Sequence, residues 1–253
     1  MRKLIGIAIA ALAFCASPAL ADTTSTPPGA PCSKNNGNPC NGNNGNLGAQ
    51  GNVGHEKVKI DKKPPPILIT MPPVTDRGVF ISQVGTGNEA SVQQTAPNAY
   101  ASVSQDGDQN DADIAQTGTG TAYVDASQSG TNNFARVQQS GSGQNVAYVS
   151  QQGSDNWLWS NQNAVGAVYN GARLSQTGNR NDMQLLQDGS DNLADLSQEG
   201  DDNGMSAVQL GEGNRLAWVQ QGDGLSDLQI TQTGGAATGG QMLITQTIVG
   251  SGN

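Results

Sequence analysis

The side chains that could support covalent or metal chemistry are few, and they lie outside the regular part of this chain. His55 is the single histidine, and Cys32 and Cys40 are the two cysteines that remain after removal of a predicted signal peptide. In an exported chain two neighbouring cysteines favour a disulfide, so Cys32 and Cys40 are our candidate disulfide pair. A zinc site needs more ligands, and histidine-dependent dyads or triads have no candidates among the repeats. We therefore predict no catalytic residue, no metal ligand and no cofactor.

Acidic residues are the second group with chemical potential, and they concentrate in short polar stretches. Asp106, Asp108 and Asp111 form one such group, and Glu199 with Asp201 belongs to another. Paired carboxylates can hydrolyse glycosides, and Asp-rich turns can bind calcium. These acids recur along the whole chain rather than forming one distinct pair, and the glycine- and aspartate-rich calcium nonapeptide is absent. We interpret them as solvated turn residues that limit non-specific association.

The third group is the amides, whose spacing is regular. A glutamine recurs fifteen times between Gln83 and Gln246, at intervals of 11, 12 or 14 residues, and twelve of these glutamines have glycine two residues later. Apolar residues stand four residues before each glutamine after the first, and two residues before it in every unit except the one with Ser160. Asparagine stands six residues before in ten of fourteen units. A fixed short period with alternation of two indicates stacked strands with one buried face.

Each unit is thus predicted to be a strand N-x-A-x-V-x-Q followed by a turn x-G-x-x. Glycine suits a position of positive φ, and Asp, Asn and Ser suit the remaining turn sites. The asparagine and glutamine share the parity of the apolar residues, so they are predicted to point inward. A single buried amide is costly, but amides stacked on identical amides can donate and accept along the column. The predicted assembly ladder consists of Gln83, Asn88, Gln94, Gln105, Asn110, Gln116, Gln128, Asn133, Gln139, Gln151, Asn156, Gln176, Asn181, Gln187, Asn192, Gln198, Asn203, Gln209, Asn214, Gln220, Gln232 and Gln246.

Two such units make one rung of two strands, and unit n is predicted to stack on unit n+2 at about 4.8 Å. The fold class is therefore all-β, a two-sided β-solenoid of stacked strand-turn-strand rungs in a cross-β arrangement, with roughly seven rungs. We expect no capping helix, so both ends of the sheets should remain open to another copy of the chain.

The chain divides into four parts. Residues 1–21 have the charged start, apolar run and small-residue cleavage site of a signal peptide. Residues 22–61 are rich in Gly and Asn and are predicted to be disordered. Residues 62–78 form a Pro-rich linker in which 67–69 could add a short strand to the first repeat. Residues 79–253 carry the repeats. No membrane span is predicted in the mature chain, because the apolar run of the signal is too short.

Charge argues against nucleic acid as a partner. Residues 79–253 contain seventeen acidic and four basic residues, a net charge of −13. Binding to phosphate requires the opposite sign.

The pattern Q-x-G-x-x-N-x-A-x3-Q resembles the curlin repeat, the unit of bacterial curli fibre subunits. It occurs in 83–94, 105–116, 128–139 and 187–198. The resemblance covers about two-thirds of the chain and implies an extracellular functional amyloid of the biofilm matrix, exported through the periplasm and a dedicated outer-membrane pore. Residues 33–54 resemble the polar segment that guides such export, although the two cysteines and the Pro-rich linker depart from it.

From this resemblance we predict a structural subunit of a curli-like fibre that serves biofilm and adhesion and assembles by edge-to-edge stacking of its repeats. Its partners would be further copies of itself, a second curlin subunit, and curli-type secretion and chaperone proteins. Asn rather than Ser opens nearly every strand, which is closer to a nucleator than to a major subunit; that choice stays open. The alternative function is a monomeric secreted β-solenoid that binds calcium, ice or a surface glycan.

Overall fold

The computed structural model of the protein describes residues 55–61, 67–74, 77–225, 228–235 and 240–249. Within these ranges the chain forms sixteen β-strands and no helix. The predicted signal peptide, most of the segment 22–61, and with it Cys32 and Cys40, lie outside the described residues. The strands are β1 His55–Asp61, β2 Gly78–Val84, β3 Glu89–Gln94, β4 Asn98–Asp108, β5 Asp111–Gln116, β6 Thr121–Thr131, β7 Phe134–Gly141, β8 Asn145–Ser154, β9 Trp157–Ala164, β10 Asn170–Asn179, β11 Asp182–Ser190, β12 Leu193–Glu199, β13 Gly204–Glu212, β14 Arg215–Gln221, β15 Leu228–Thr233 and β16 Gln241–Val249.

Strands β2 to β16 wind into a solenoid in which consecutive strands alternate between two sheets. The even-numbered strands stack in chain order in one sheet, which we call sheet A, and the odd-numbered strands from β3 to β15 form sheet B. All of these pairs are parallel. Strand n therefore stacks on strand n+2 through about seven turns. The predicted all-β, two-sided β-solenoid is confirmed.

Equivalent residues of successive turns lie directly above one another. Gln105 of β4 pairs with Gln83 below and Gln128 above, and the same holds for the glutamines of sheet B. A slip by one residue would move every inward side chain to solvent, so the alternating pattern enforces this register. The extra residues of the longer units lie between strands, where they leave the stacking unchanged.

The core is a thin column between the sheets, and its side chains tend to be larger toward the C-terminal end of the chain. Early turns contribute small residues such as Ala101 and Ala112, whereas late turns contribute Met205, Leu216 and Trp218. All of these residues are fully or almost fully buried. With only two inward apolar positions per strand, the amides occupy the rest of the interior, and the fold depends on their hydrogen bonds as much as on apolar burial.

The glycine that stands two residues after most of the glutamines is required by backbone angle and space, as Gly130 shows. At Gly130 φ is 114°, and a Cβ there would lie 2.0 Å from the carbonyl oxygen of Gly153 in the next turn. Because Gly107, Gly130 and Gly153 pair in register, β4, β6 and β8 continue through this position, which the pattern assigned to the turn. The chain reverses further on, where residues such as Asp155 adopt φ of 58°.

Two expectations about the N-terminal region need correction. Residues 55–61, predicted to be disordered, form β1, which pairs antiparallel with β16. This strand covers the edge of sheet A that we expected to be open. The physical reason is that β16 ends sheet A with a row of backbone donors and acceptors, which an extended segment can satisfy.

The linker contacts the middle of the solenoid rather than its first repeat. Residues 67–74 form no strand, and Ile69 is buried against Val146 and Leu193 on the outer face of sheet A. Tyr169 and Tyr148 donate hydrogen bonds from their hydroxyl groups to the carbonyls of Ile69 and Thr70. The linker therefore crosses the outer face of sheet A and is held there by apolar and polar contacts.

Candidate functional site

The eight inward glutamines of sheet A form one continuous hydrogen-bonded ladder. Each Nε2 donates to the Oε1 of the glutamine one turn later, from Gln83 to Gln246, with donor–acceptor distances between 2.6 and 2.9 Å. Except for Gln83, which is exposed in the first strand, these side chains are buried. Amide columns of this kind are a stabilising feature of cross-β stacks.

Sheet B carries a second ladder with the same direction. The Nε2 groups from Gln94 to Gln209 each donate to the next Oε1, ending at Gln232, over distances of 2.8 to 3.0 Å. Both ladders therefore have a polarity, because every amide donates toward the C-terminal end of the solenoid and accepts from the N-terminal end.

The second proton of each amide ties the two sheets together. Gln116 Nε2 donates to the carbonyl of Tyr100 at 2.9 Å, sixteen residues earlier and in the opposite sheet. The same contact recurs in later turns, for example from Gln162 to Val146 and from Gln209 to Leu193. Both protons and the oxygen of an interior glutamine thus have partners, so burial leaves no penalty for an unpaired group.

The asparagines form shorter ladders with the opposite polarity. Asn133 Nδ2 donates to the Oδ1 of Asn110 one turn earlier at 2.9 Å, and Asn156 donates to Asn133 in the same way. Most of these Nδ2 groups also donate to the carbonyl of a repeat glycine, as Asn133 does to Gly153. The asparagine side chain therefore connects the start of one strand to the turns below and above it.

All predicted ladder residues lie in these four columns. The prediction omitted two members, Gln162 and Asn170, which donate to Gln187 and accept from Asn192 respectively. Their units are irregular, with Ala164 in place of glycine and a 14-residue interval, but their positions in the repeat register were available from the sequence. Asn203 donates its backbone N–H to Asn181 Oδ1 and accepts the N–H of Leu225 at its own Oδ1, whereas its Nδ2 has no partner.

The turn acids do more than face solvent, which corrects our interpretation. Asp108 Oδ1 accepts the backbone N–H and the hydroxyl of Thr86 in the turn below, which lowers the pKa of this carboxyl. Asp201 accepts the backbone N–H of Asn179, and Asp223 accepts that of Asp201. Short polar side chains are thus selected here because they satisfy turn N–H groups that face the next layer.

The four arginines of the repeats pair with carboxylates one turn away. Arg136 contacts Asp113, Arg173 contacts Asp195, Arg180 contacts Asp202, and Arg215 contacts Asp191. These pairs are solvent-exposed to varying degrees, so each should contribute less than about 1 kcal/mol. They nevertheless place opposite charges, rather than like charges, on neighbouring turns at four positions. This arrangement helps the strongly acidic repeats to stack on one another.

One acidic column remains uncompensated near the start of sheet B. Asp111 lies directly above Glu89. Partial burial raises the pKa of Asp111, and the charges of Glu89 and Asp113 raise it further, while Arg136 acts in the opposite direction. This pair is the clearest electrostatic cost in the described repeats.

The two ends of the solenoid differ. At the N-terminal end the inward residues Val79 and Ile81 are 45% and 46% exposed, because no described strand lies below them. The Oε1 atoms of Gln83 and Gln94 accept no hydrogen bond from the described residues. At the C-terminal end Ile244 is fully buried, and β1 covers its strand.

Within the described ranges, no three or more His, Cys, Asp or Glu side chains form a cluster that could hold a metal ion. Nor does any helix in these ranges have the length and apolar character needed to cross a membrane.

Fold and interior together define a repetitive, parallel β-solenoid with amide ladders. The family model of the curlin associated repeat matches residues 78–107, 169–200 and 178–211, which lie in β2–β4 and β10–β13. These three matches support the resemblance to the curlin repeat family that the sequence predicts. Comparisons with curated proteins and with solved structures gave no match.

Proposed function

We propose that this protein is a structural, non-enzymatic subunit of an extracellular curli-like amyloid fibre, which contributes to a biofilm matrix and to adhesion. The observation that carries the proposal is the polarity of the two glutamine ladders. Each ladder begins with an acceptor that has no described donor and is built to be continued by an identical amide. A second copy of the chain supplies that amide in the same spacing.

The N-terminal edge supports this role energetically. Val79 and Ile81 are inward residues of the repeat, yet nearly half of each is exposed. An open strand edge with exposed apolar side chains is a site of strand addition unless it is protected. Stacking of a further copy would bury both residues and pair the edge of β2.

Further aspects of the proposal come from the family and from the N-terminal sequence. Residues 1–21 would direct the chain to the periplasm, and residues 33–54 would guide export to the cell surface. A second curlin subunit and curli-type secretion and chaperone proteins would be partners in this process. Nucleic acid is not proposed as a partner, because the repeats are strongly acidic.

Assembly of purified residues 22–253 tests the proposal. We expect fibres after a lag, thioflavin fluorescence, a meridional reflection near the ~4.8 Å strand spacing, and loss of the lag when preformed fibres are added. A chain that stays monomeric under these conditions would refute the fibre role and favour the monomeric binding module.

A matched pair of variants connects assembly to the edge. Ile81→Lys places a charge where the next copy should stack, whereas Ser82→Lys adds the same charge on the outer side of the same strand. We expect the first to slow fibre growth far more than the second. Equal effects would mean that the β2 edge is not the assembly surface.

A further inference from the structure

The described solenoid contains an odd number of strands, so at its C-terminal end one sheet extends one strand beyond the other. Sheet A holds eight solenoid strands, β2 to β16, and sheet B holds seven, β3 to β15. β16 is therefore the last half-turn, and the position above β15 in sheet B has no described strand. A copy added in the same orientation would place its β2 on β16 and would leave a gap one strand wide above β15.

Rotating the added copy by 180°, a half-turn, about the solenoid axis removes that gap. The incoming β2 then continues sheet B above β15, and the incoming β3 continues sheet A above β16. The first sheet of one copy becomes the second sheet of the next, and the alternation of the chain continues across the joint without a missing strand. All backbone groups at the joint then have partners, which strongly favours this arrangement.

The amide polarity fixes which ends meet. Both ladders begin with an Oε1 that accepts no described hydrogen bond, at Gln83 and Gln94. Two N-terminal ends brought together would oppose acceptor to acceptor. Gln232, the last described amide of sheet B, donates to the carbonyls of Arg215 and Gly240, as interior glutamines donate to the opposite sheet and to a turn. Among the described residues it has no Oε1 of a further turn to donate to. The ends are therefore complementary only when stacked head to tail.

The half-turn also completes the first glutamine. Interior amides donate to a carbonyl of the preceding strand, as Gln94 does to Gly78. Gln83 has no preceding solenoid strand, and its one described donor contact is to Gln105. In the rotated joint β16 of the neighbour becomes the preceding strand, and the carbonyl of its Gln241 occupies the equivalent position. Val79 and Ile81 would at the same time stack on Leu228 and Ile230, which are only partly buried now.

One element of the chain itself blocks this joint. β1 pairs along most of the edge of β16, from His55 opposite Val249 to Asp61 opposite Leu243. The incoming β3 needs the same backbone groups. β1 is antiparallel, whereas every solenoid pair is parallel, so it ends the stack rather than extending it.

We propose that copies of this chain join head to tail with a half-turn between them, so that β2 of one copy pairs with β15 and β3 pairs with β16 of its neighbour, after β1 has left the β16 edge. The inference rests on the proposed fibre function and specifies its joint. β1 acts as a reversible cap that keeps the monomer from adding subunits until it is displaced.

Engineered cysteines distinguish the rotated from the unrotated joint. Ser82, Thr231 and Thr245 each precede the ladder glutamine of their strand and lie on the outer faces. The half-turn places Ser82 beside Thr231 of the neighbour, and the unrotated joint places it beside Thr245. Paired strands are about 4.8 Å apart, within the Cα range of a disulfide. Within one copy these positions are at opposite ends of the solenoid.

The test compares Ser82→Cys with Thr231→Cys and Ser82→Cys with Thr245→Cys, both also carrying Cys32→Ser and Cys40→Ser. After fibres form, as judged by sedimentation and electron microscopy, mild oxidation should give a ladder of covalent oligomers on a non-reducing gel for the first variant alone. Fibres that cross-link through Thr245→Cys, through both pairs or through neither overturn the half-turn joint. Absence of fibres in all chains, including the unmodified one, overturns the proposed function itself.

A covalent lock tests the cap. Lys59 lies opposite Thr245 in the antiparallel pair, at a separation that a disulfide can span. In the same cysteine-free background, oxidised Lys59→Cys with Thr245→Cys should lose polymerisation, and a reductant should restore it. Ser104→Cys with Ser127→Cys, neighbours inside sheet A, supplies a control disulfide that leaves the ends untouched and should polymerise in both states. A locked chain that polymerises as fast as its reduced form overturns the cap.

Discussion

Replacing one interior ladder amide by its isosteric acid, Gln187→Glu, should destabilise the solenoid in a pH-dependent way. Gln187 is fully buried and donates to Gln209 Oε1 at 2.8 Å, to the Gly171 carbonyl at 3.0 Å and to the Asn192 carbonyl at 3.2 Å. Its own Oε1 accepts from Gln162 at 2.8 Å. The substitution keeps shape and volume but places an oxygen where three acceptors converge.

The size of the expected loss of stability follows from these contacts and from the coupling between protonation and folding. An ordinary glutamate has a pKa of about 4.3, and a carboxyl buried among acceptors should have a raised pKa in the folded state, because both desolvation and the acceptors disfavour its charge. The protonated acid still donates one hydrogen bond, so the loss at low pH should be about 1–3 kcal/mol for the acceptors left without a donor. Above the unfolded pKa the loss should grow by about 1.4 kcal/mol per pH unit until the folded pKa is reached.

The pH dependence of this variant is therefore opposite to that of a carboxylate in an ion pair, because the stability of the Gln187→Glu chain falls as pH rises. Near pH 7 the added loss could reach about 4 kcal/mol if the folded pKa lies that high. Urea unfolding followed by circular dichroism, at concentrations too low for assembly, measures the free energy at each pH. Gln184→Glu is the matched control, because Gln184 lies on the same strand with its side chain half-buried on the outer face. A loss equal to that of Gln184→Glu at pH 7, or one independent of pH, would refute the ladder argument.

Three further variants test other parts of the interior and turns. Gly130→Ala should prevent normal stacking of β6 on β8, because its Cβ would lie 2.0 Å from a backbone oxygen; a large drop in melting temperature is expected, while Gly235→Ala, which meets no atom within 4 Å, should be neutral. Ser160→Ala removes a buried hydroxyl without a hydrogen-bond partner and should raise the free energy of unfolding by about 1 kcal/mol; a loss would mean that the hydroxyl has a bound partner. Asp111→Asn should stabilise the chain at neutral pH by less than about 1 kcal/mol. Since the pKa of Asp111 is raised, that gain should shrink as pH falls through the carboxylate range, and a constant gain would exclude the charge explanation.

The fold could be predicted because each repeat favours the same local structure, a strand followed by a turn. A buried glutamine, two apolar residues of the same parity and a glycine two residues after the glutamine recur in most units. An alternating pattern of this kind cannot slip by one residue without exposing the core. Units with longer intervals still keep their register, as the pairing of Gln151 with Gln176 shows. The stacking of identical residues then follows from the pairing of strands n and n+2.

Contacts that occur once could not be predicted in this way. The burial of Ile69 against Val146 and Leu193 joins residues far apart in the chain and has no periodic signal. β1 likewise has only a short alternation, and its partner β16 could not be chosen from sequence. The role of Asp108 was missed for another reason, since an acid in a turn looks solvated until the N–H group of Thr86 in the neighbouring turn is placed beside it.

The middle turns and the end turns of this solenoid are built from the same residues, but the end turns lack hydrogen-bond partners that the middle turns have. Gln128 has a donor below, an acceptor above and a carbonyl across the core, so it gains nothing from a further copy. Gln83 has the same side chain and backbone setting but only the contact above it. Growth should therefore be directed by the end turns alone, and substitutions in middle turns should change stability without changing how copies join. At the C-terminal end the chain's own β1 takes the place that a neighbouring copy would fill. We therefore expect the chain to control the addition of copies at this end.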